Sequence, residues 1–136
     1  MGSDSRKLSA KQLAKYTMLM ERFDAYLERN WADPLYNDAC ARELGMSPRS
    51  LSTMVTAMRG TSVQRYVRDK RLAAVRDAIN RNENRGCIGR IARAYGFQHL
   101  GEFASEYRRR YGQRPSETAL HEGAAPASVT EDDQLS

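Results

Sequence analysis

Three consecutive arginines, Arg108, Arg109 and Arg110, lie in a stretch where Leu100, Phe103, Tyr107 and Tyr111 recur at three- and four-residue steps. That spacing predicts a helix with an aromatic inner face. Gly101, Glu102, Ser105, Arg108 and Arg109 fall on its outer face, and Gln98 and His99 stand at its entrance. Arg110 leans toward the buried side, where its stem can snorkel. A second stretch repeats the arrangement. Leu51, Met54, Val55 and Met58 form an inner stripe, and Arg49, Ser52, Thr53, Thr56 and Ala57 face outward. A guanidinium is a rigid fork of donors that suits a phosphate or the edge of a guanine. Arg49, at the start of its helix, is the candidate for guanine. Arg108 and Arg109 are candidates for phosphate. Glu102 could accept from a cytosine amino group, and the short Ser105 hydroxyl reaches a base edge only where the helix already touches. The plainer reading of each charge is a solvated helix face, so the case depends on the elements that carry them.

Those elements occur twice. Ala41-Arg42-Glu43-Leu44-Gly45-Met46 and Ala92-Arg93-Ala94-Tyr95-Gly96-Phe97 repeat at an offset of 51 residues. Gly60 and Gly112 repeat at 52, so the second copy holds one extra residue between these points. Each copy reads as a short helix, a glycine turn and a second amphipathic helix, over about 37–59 and 88–111. That is the pattern of a helix-turn-helix, present twice. Asn37 or Asp38 is the expected cap of the first short helix, which buries Cys40, Ala41 and Leu44. Ser47 as N-cap with Pro48 at the first helical position opens the second. Gly45 and Gly96 stand where a tight turn needs positive φ. In the second copy Ile88, Ile91, Ala92 and Tyr95 turn inward.

Between the copies, residues 63–81 hold no Gly or Pro and read as one helix of about 28 Å. Val63, Tyr66 and Val67 share one face, whereas Leu72, Val75 and Ile79 share another, so the helix is expected to serve two small cores. Its length is expected to set the separation of the two outward faces. A leading helix begins at Ser9, a capping residue with Gln12 three positions on. It carries Leu13, Tyr16, Leu19, Met20, Phe23, Tyr26 and Leu27 and ends near Asn30. Pro115 begins a short last helix. Residues 1–8 read as a flexible N-terminus, with Met1-Gly2-Ser3 like an expression scar. Residues 121–136 read as a disordered acidic tail.

The fold class is therefore all-α. The 136 residues carry a net charge of +5. The tail holds Glu122, Glu131, Asp132 and Asp133 and no Lys or Arg, so the first 120 residues set 22 basic against 13 acidic side chains, a net +9. A small basic body points to a polyanion, and nucleic acid is the common one. Catalytic classes find no support: no Ser/His/Asp or Cys/His set, no glycine-rich phosphate loop after a strand. Cys40 and Cys87 lack CxxC spacing, and His99 and His121 do not join them at finger spacing, so no metal and no cofactor are expected. No apolar run approaches a membrane span, and a cytoplasmic protein without a membrane partner is expected.

The second copy, from Ile91-Ala92 through Gly96-Phe97 and Phe103 to Tyr107-Arg108-Arg109-Arg110-Tyr111-Gly112 and Pro115-Ser116-Glu117, resembles the signature of AraC/XylS-type transcription regulators. Leu44-Gly45-Met46-Ser47-Pro48-Arg49-Ser50-Leu51, Gly60-Thr61-Ser62, Arg65-Tyr66-Val67 and Arg71-Leu72 resemble the first half of the same pattern. The likeness covers about residues 15–120. It implies a seven-helix DNA-binding domain over 9–120 whose two recognition helices enter successive major grooves of double-stranded DNA. It further implies transcriptional activation with RNA polymerase as a second partner, and a monomeric isolated domain. Thr53, Thr56, Ala57, Glu102 and Ser105 depart from the residues common in the family, which implies an operator of its own. The alternative is a helical protein-interaction module with a basic surface. It would show neither a steep salt dependence nor a preferred sequence with duplex DNA.

Overall fold

The computed structural model describes residues 8–83 and 87–121, with side chains to Thr118. Among these are seven helices: α1 (Ala10–Arg29), α2 (Asn37–Glu43), α3 (Pro48–Arg59), α4 (Val63–Asn80), α5 (Ile88–Ala94), α6 (Leu100–Tyr111) and α7 (Pro115–His121). The expected tail beyond 121, nearly all of the expected N-terminal segment and residues 84–86 lie outside the described residues.

The chain forms two compact units. Among the described residues, one holds 8–30 and Pro34–Arg68; the other holds Trp31–Asp33, 69–83 and 87–121. In the first unit α1, α2 and α3 pack on one another. Leu19, Met20, Phe23 and Leu27 of α1 are buried, as are Cys40, Ala41, Leu44, Leu51, Met54 and Val55. Val63, Tyr66 and Val67 complete the set, with the Tyr66 ring stacked on Phe23 at 5.8 Å. The Tyr66 hydroxyl donates to Asp24 Oδ1 at 2.5 Å. Burial, and next that bond, hold the phenol well above the usual tyrosine range.

In the second unit α5, α6 and α7 pack in sequence. Their core joins Leu72, Val75, Ala78 and Ile79 of α4 to Ile88, Ile91, Ala92, Phe97, Phe103 and Tyr107. The two faces of α4 thus enter two different cores, because at about 100° per residue Val67 and Leu72 point to different sides. Phe97, Phe103, Tyr107 and Tyr111 form a run of ring contacts at 4.8, 5.8 and 4.8 Å. The buried Tyr107 hydroxyl donates to Thr118 Oγ1 at 2.7 Å, and Thr118 donates to Gln113 Oε1 at 2.6 Å, tying α7 to α6.

Local chemistry accounts for the helix ends. Ser9 Oγ accepts from the Gln12 amide and Ser47 Oγ from the Ser50 amide, each relieving an orphan N–H of a first turn. The expected cap of α2 is corrected. Tyr36 is its N-cap and makes no side-chain bond, Asn37 is already helical, and Asp38 takes the Ala39 amide at 2.9 Å from inside the first turn. Tyr36 supplies extended backbone at ψ 149, and a carboxylate at the positive end of the helix is favourable wherever it reaches an N–H. Met58 and Tyr95, expected in the buried stripes, are half-buried, and Arg110 is exposed.

Candidate functional site

Both helix-turn-helix turns are built by the same hydrogen bonds. After α2, the Gly45 amide bonds the Arg42 carbonyl at 3.1 Å and the Met46 amide bonds Ala41 at 3.0 Å. After α5, Gly96 bonds Arg93 at 3.1 Å and Phe97 bonds Ala92 at 2.9 Å. These are two Schellman motifs, each with glycine in the left-handed position at φ 71 and φ 96. The second helices then start out of register by one residue. Leu51 bonds back to Ser47, and Phe103 to His99, at an offset of 52. The extra residue of the second copy is thus Gln98, inserted between the Schellman turn and the helix cap.

With that offset the outer faces correspond residue by residue. Arg49 matches Gly101, Ser50 matches Glu102, Thr53 matches Ser105, and Thr56 matches Arg108. Arg49, Ser52, Thr53 and Thr56 are all exposed on α3. Arg49, Thr53 and Thr56 stand at steps of four and three, so they share one face. Gln98, His99, Gly101, Glu102, Ser105, Arg108 and Arg109 are likewise exposed. Gly101, Ser105 and Arg108 share the matching face of α6, with Glu102 and Arg109 beside it. His99 is the N-cap of α6 but makes no side-chain capping bond, so its ring is not committed to the helix end. Thr56 is partly committed elsewhere, since its hydroxyl donates to the Thr61 carbonyl at 3.3 Å across the end of α3.

The electrostatics of the two outer faces differ. Arg108, Arg109 and Arg110 occupy the last turn of α6, where cations meet the negative end of the helix dipole, and Glu102 occupies the first turn. The outer face of α3 is short and hydroxylated apart from Arg49. A place on that face absent from the sequence reading is Ser50, exposed and paired through its hydroxyl with Ser47 Oγ at 3.1 Å. Its match with Glu102 was the available signal, and it appears only once Gln98 is recognised as the insertion. Cys40 is buried, and burial, then Asp38, pushes its thiol up, so it is a packing residue. Among the described residues no group of three His, Cys, Asp or Glu side chains is placed to hold a metal. No helix among them is long and apolar enough to cross a membrane.

Comparison with known proteins agrees with this geometry. Residues 40–120 match the family model for a helix-turn-helix domain. The chain is 36% identical over 119 residues to XylDLEGF operon transcriptional activator 2 of Pseudomonas putida, covering 86% of this chain and 76% of that one. It is 34% identical over 112 residues to the XylDLEGF operon transcriptional activator of Pseudomonas putida, covering 82% of this chain but only 35% of that protein. Among solved structures it resembles a transcriptional regulator from Chromobacterium violaceum described as an AraC-type DNA-binding domain-containing protein. The TM-score is 0.73 and the identity 25%, over 81% of this chain and 96% of that one. A probable AraC family transcriptional regulator from Rhodopseudomonas palustris gives a TM-score of 0.64 at 26% identity, over 76% and 96%.

Proposed function

The chain belongs to the AraC-type helix-turn-helix family of transcription regulators, and we propose that it reads double-stranded DNA with two recognition helices, α3 and α6. One observation carries the assignment. The same Schellman turn is built twice, and each copy is followed by a helix whose matching positions are exposed. On α3 the reading residues are Arg49, Ser52, Thr53 and Thr56. On α6 they are Gly101, Glu102 and Ser105, with Gln98 and His99 at the entrance and Arg108 and Arg109 on phosphates. Each helix enters a major groove, the only groove whose base edges distinguish all four base pairs and whose width admits a helix. The protein acts as an activator in the cytoplasm, binds its site as a monomer, and engages RNA polymerase from that site.

The test is a set of binding titrations at several salt concentrations, paired with selection of bound duplexes from a random pool. With on the order of 5 to 8 phosphate contacts, log K against log salt falls with a slope of about −0.9 per contact. A preferred duplex with two separately required segments is the expected selection. A flat salt response with no preferred duplex refutes the reading and returns the basic surface to a protein partner.

A further inference from the structure

Arg71 differs from the basic residues on the outer faces. It sits mid-helix in α4 yet is only 9% exposed. Its Nη1 donates to the Trp31 carbonyl, 40 residues earlier in the chain, and to the Tyr95 carbonyl at 2.6 Å, 24 residues later. Its guanidinium lies over the Trp31 ring at 5.4 Å and the Phe97 ring at 5.9 Å. A cation between aromatic faces and charge-assisted bonds to carbonyls keeps its solvation without water.

The Tyr95 carbonyl belongs to the C-cap of α5, the end at which the Schellman bonds satisfy Ala92 and Arg93. Arg71 supplies the cation there, as the helix dipole favours. A Cβ at Gly96 would overlap Arg71 Nη1 and the Trp31 carbonyl oxygen, so this turn is shaped around the guanidinium. The line of contact continues. Phe97, beneath the guanidinium, packs on Phe103 at 4.8 Å, and Phe103 is the inner face of α6. The outer face of that helix holds Ser105 and Arg108. The first turn has no such arrangement, since a Cβ at Gly45 would meet nothing within 4 Å.

We infer that Arg71 is the positioning residue of the second reading helix, holding the α5–α6 turn, and through Phe97 the outer face of α6, in register for base contact without touching DNA itself. The inference rests on the DNA-binding reading above. It assigns an inward-facing arginine of the connecting helix a specificity role in one half of the site.

The test uses the full chain with Arg71→Lys, which keeps the charge, and Arg71→Met, which keeps much of the stem. Duplexes selected by the wild-type chain are scrambled in one segment at a time, and the segment read by α6 is identified as the one whose preference moves in Ser105→Arg. In the wild type, scrambling either segment is expected to weaken binding at least about tenfold, the scale of one good base contact. In the Arg71 variants, scrambling the α6 segment is expected to cost less than about threefold, while scrambling the other costs as before. Amide exchange over residues 95–107 should rise by at least about tenfold with residues 40–55 unchanged, the mark of a local opening. Retained discrimination in the α6 segment overturns the inference, as does equal loss in both. So does faster exchange at 40–55 to the same degree as at 95–107, which makes Arg71 a general support. If the wild type selects no duplex, the DNA reading fails, and the exchange experiment still decides whether Arg71 holds the turn.

Discussion

Gly96 and Gly45 occupy equivalent places in two equivalent turns, yet the same substitution should affect them unequally. Gly45→Ala places a methyl group in open space at φ 71, so its cost is the left-handed backbone alone, about 1–2 kcal/mol. Gly96→Ala carries a similar backbone cost at φ 96, and its methyl group collides with Arg71 Nη1 and the Trp31 carbonyl oxygen. Either the turn shifts, at the roughly 1–3 kcal/mol of overpacking, or Arg71 leaves two carbonyls behind, at a similar cost. The total for Gly96→Ala is about 2–5 kcal/mol, or roughly 1–3 kcal/mol beyond Gly45→Ala. Urea unfolding followed by circular dichroism measures both variants against the wild type. For units of this size a difference of 1 kcal/mol is about 4–8 °C in melting temperature. The β-branched Gly96→Val should be at least as harmful. Equal shifts for the two alanine variants refute the idea that Arg71 shapes the second turn, and an unchanged Gly96→Ala refutes the turn itself.

Arg108→Ala is expected to weaken binding to all duplexes by a similar factor and reduce the salt slope by about one contact, whereas Ser105→Arg should move base preference in one segment toward guanine. Selection and salt titration on both variants check this, and the roles are reversed if Arg108→Ala is the one that shifts the selected site. Burial pushes the Tyr107 phenol from the usual value near 10 up to about 12. Its raised folded value contributes stability in full below pH 10 that is lost as pH rises toward 12. Tyr107→Phe should therefore cost about 1–2 kcal/mol at neutral pH, through the bond to Thr118, and the gap to wild type should narrow over that window. Denaturation curves that stay parallel from pH 9 to 12 speak against it. Met20 is 1% exposed and Met18 is 56% exposed on the same helix. Met20→Ala should cost about 2–5 kcal/mol and Met18→Ala less than about 0.5 kcal/mol, by thermal melts of the two variants.

Most of the secondary structure was legible before folding, because helix period, caps and glycine turns are local properties of the chain. The apolar steps over 63–81 called for a helix serving two cores, and α4 runs Val63–Asn80 with Val67 in one and Leu72 in the other. The repeat at 51 and 52 residues pointed to two helix-turn-helix copies, since each needs a glycine at the same place after its short helix. The outward faces of α3 and α6 followed from the inward ones, because a helix that buries Leu51 or Phe103 has to expose the opposite side. Other features were settled only in the folded chain. Tyr36 rather than Asn37 or Asp38 caps α2, since the chain path before the helix decides which residue takes extended backbone. Gln98 is the inserted residue, which required the hydrogen-bond register of both turns. Thr56 turns its hydroxyl back to Thr61, a bond across a helix end that periodicity does not reveal. Above all, Arg71 looks in the sequence like one more charge on a solvated helix. Its partners lie 40 and 24 residues away, and no local pattern encodes which carbonyls a long side chain will meet once α4, the Trp31 segment and the α5 turn are brought together.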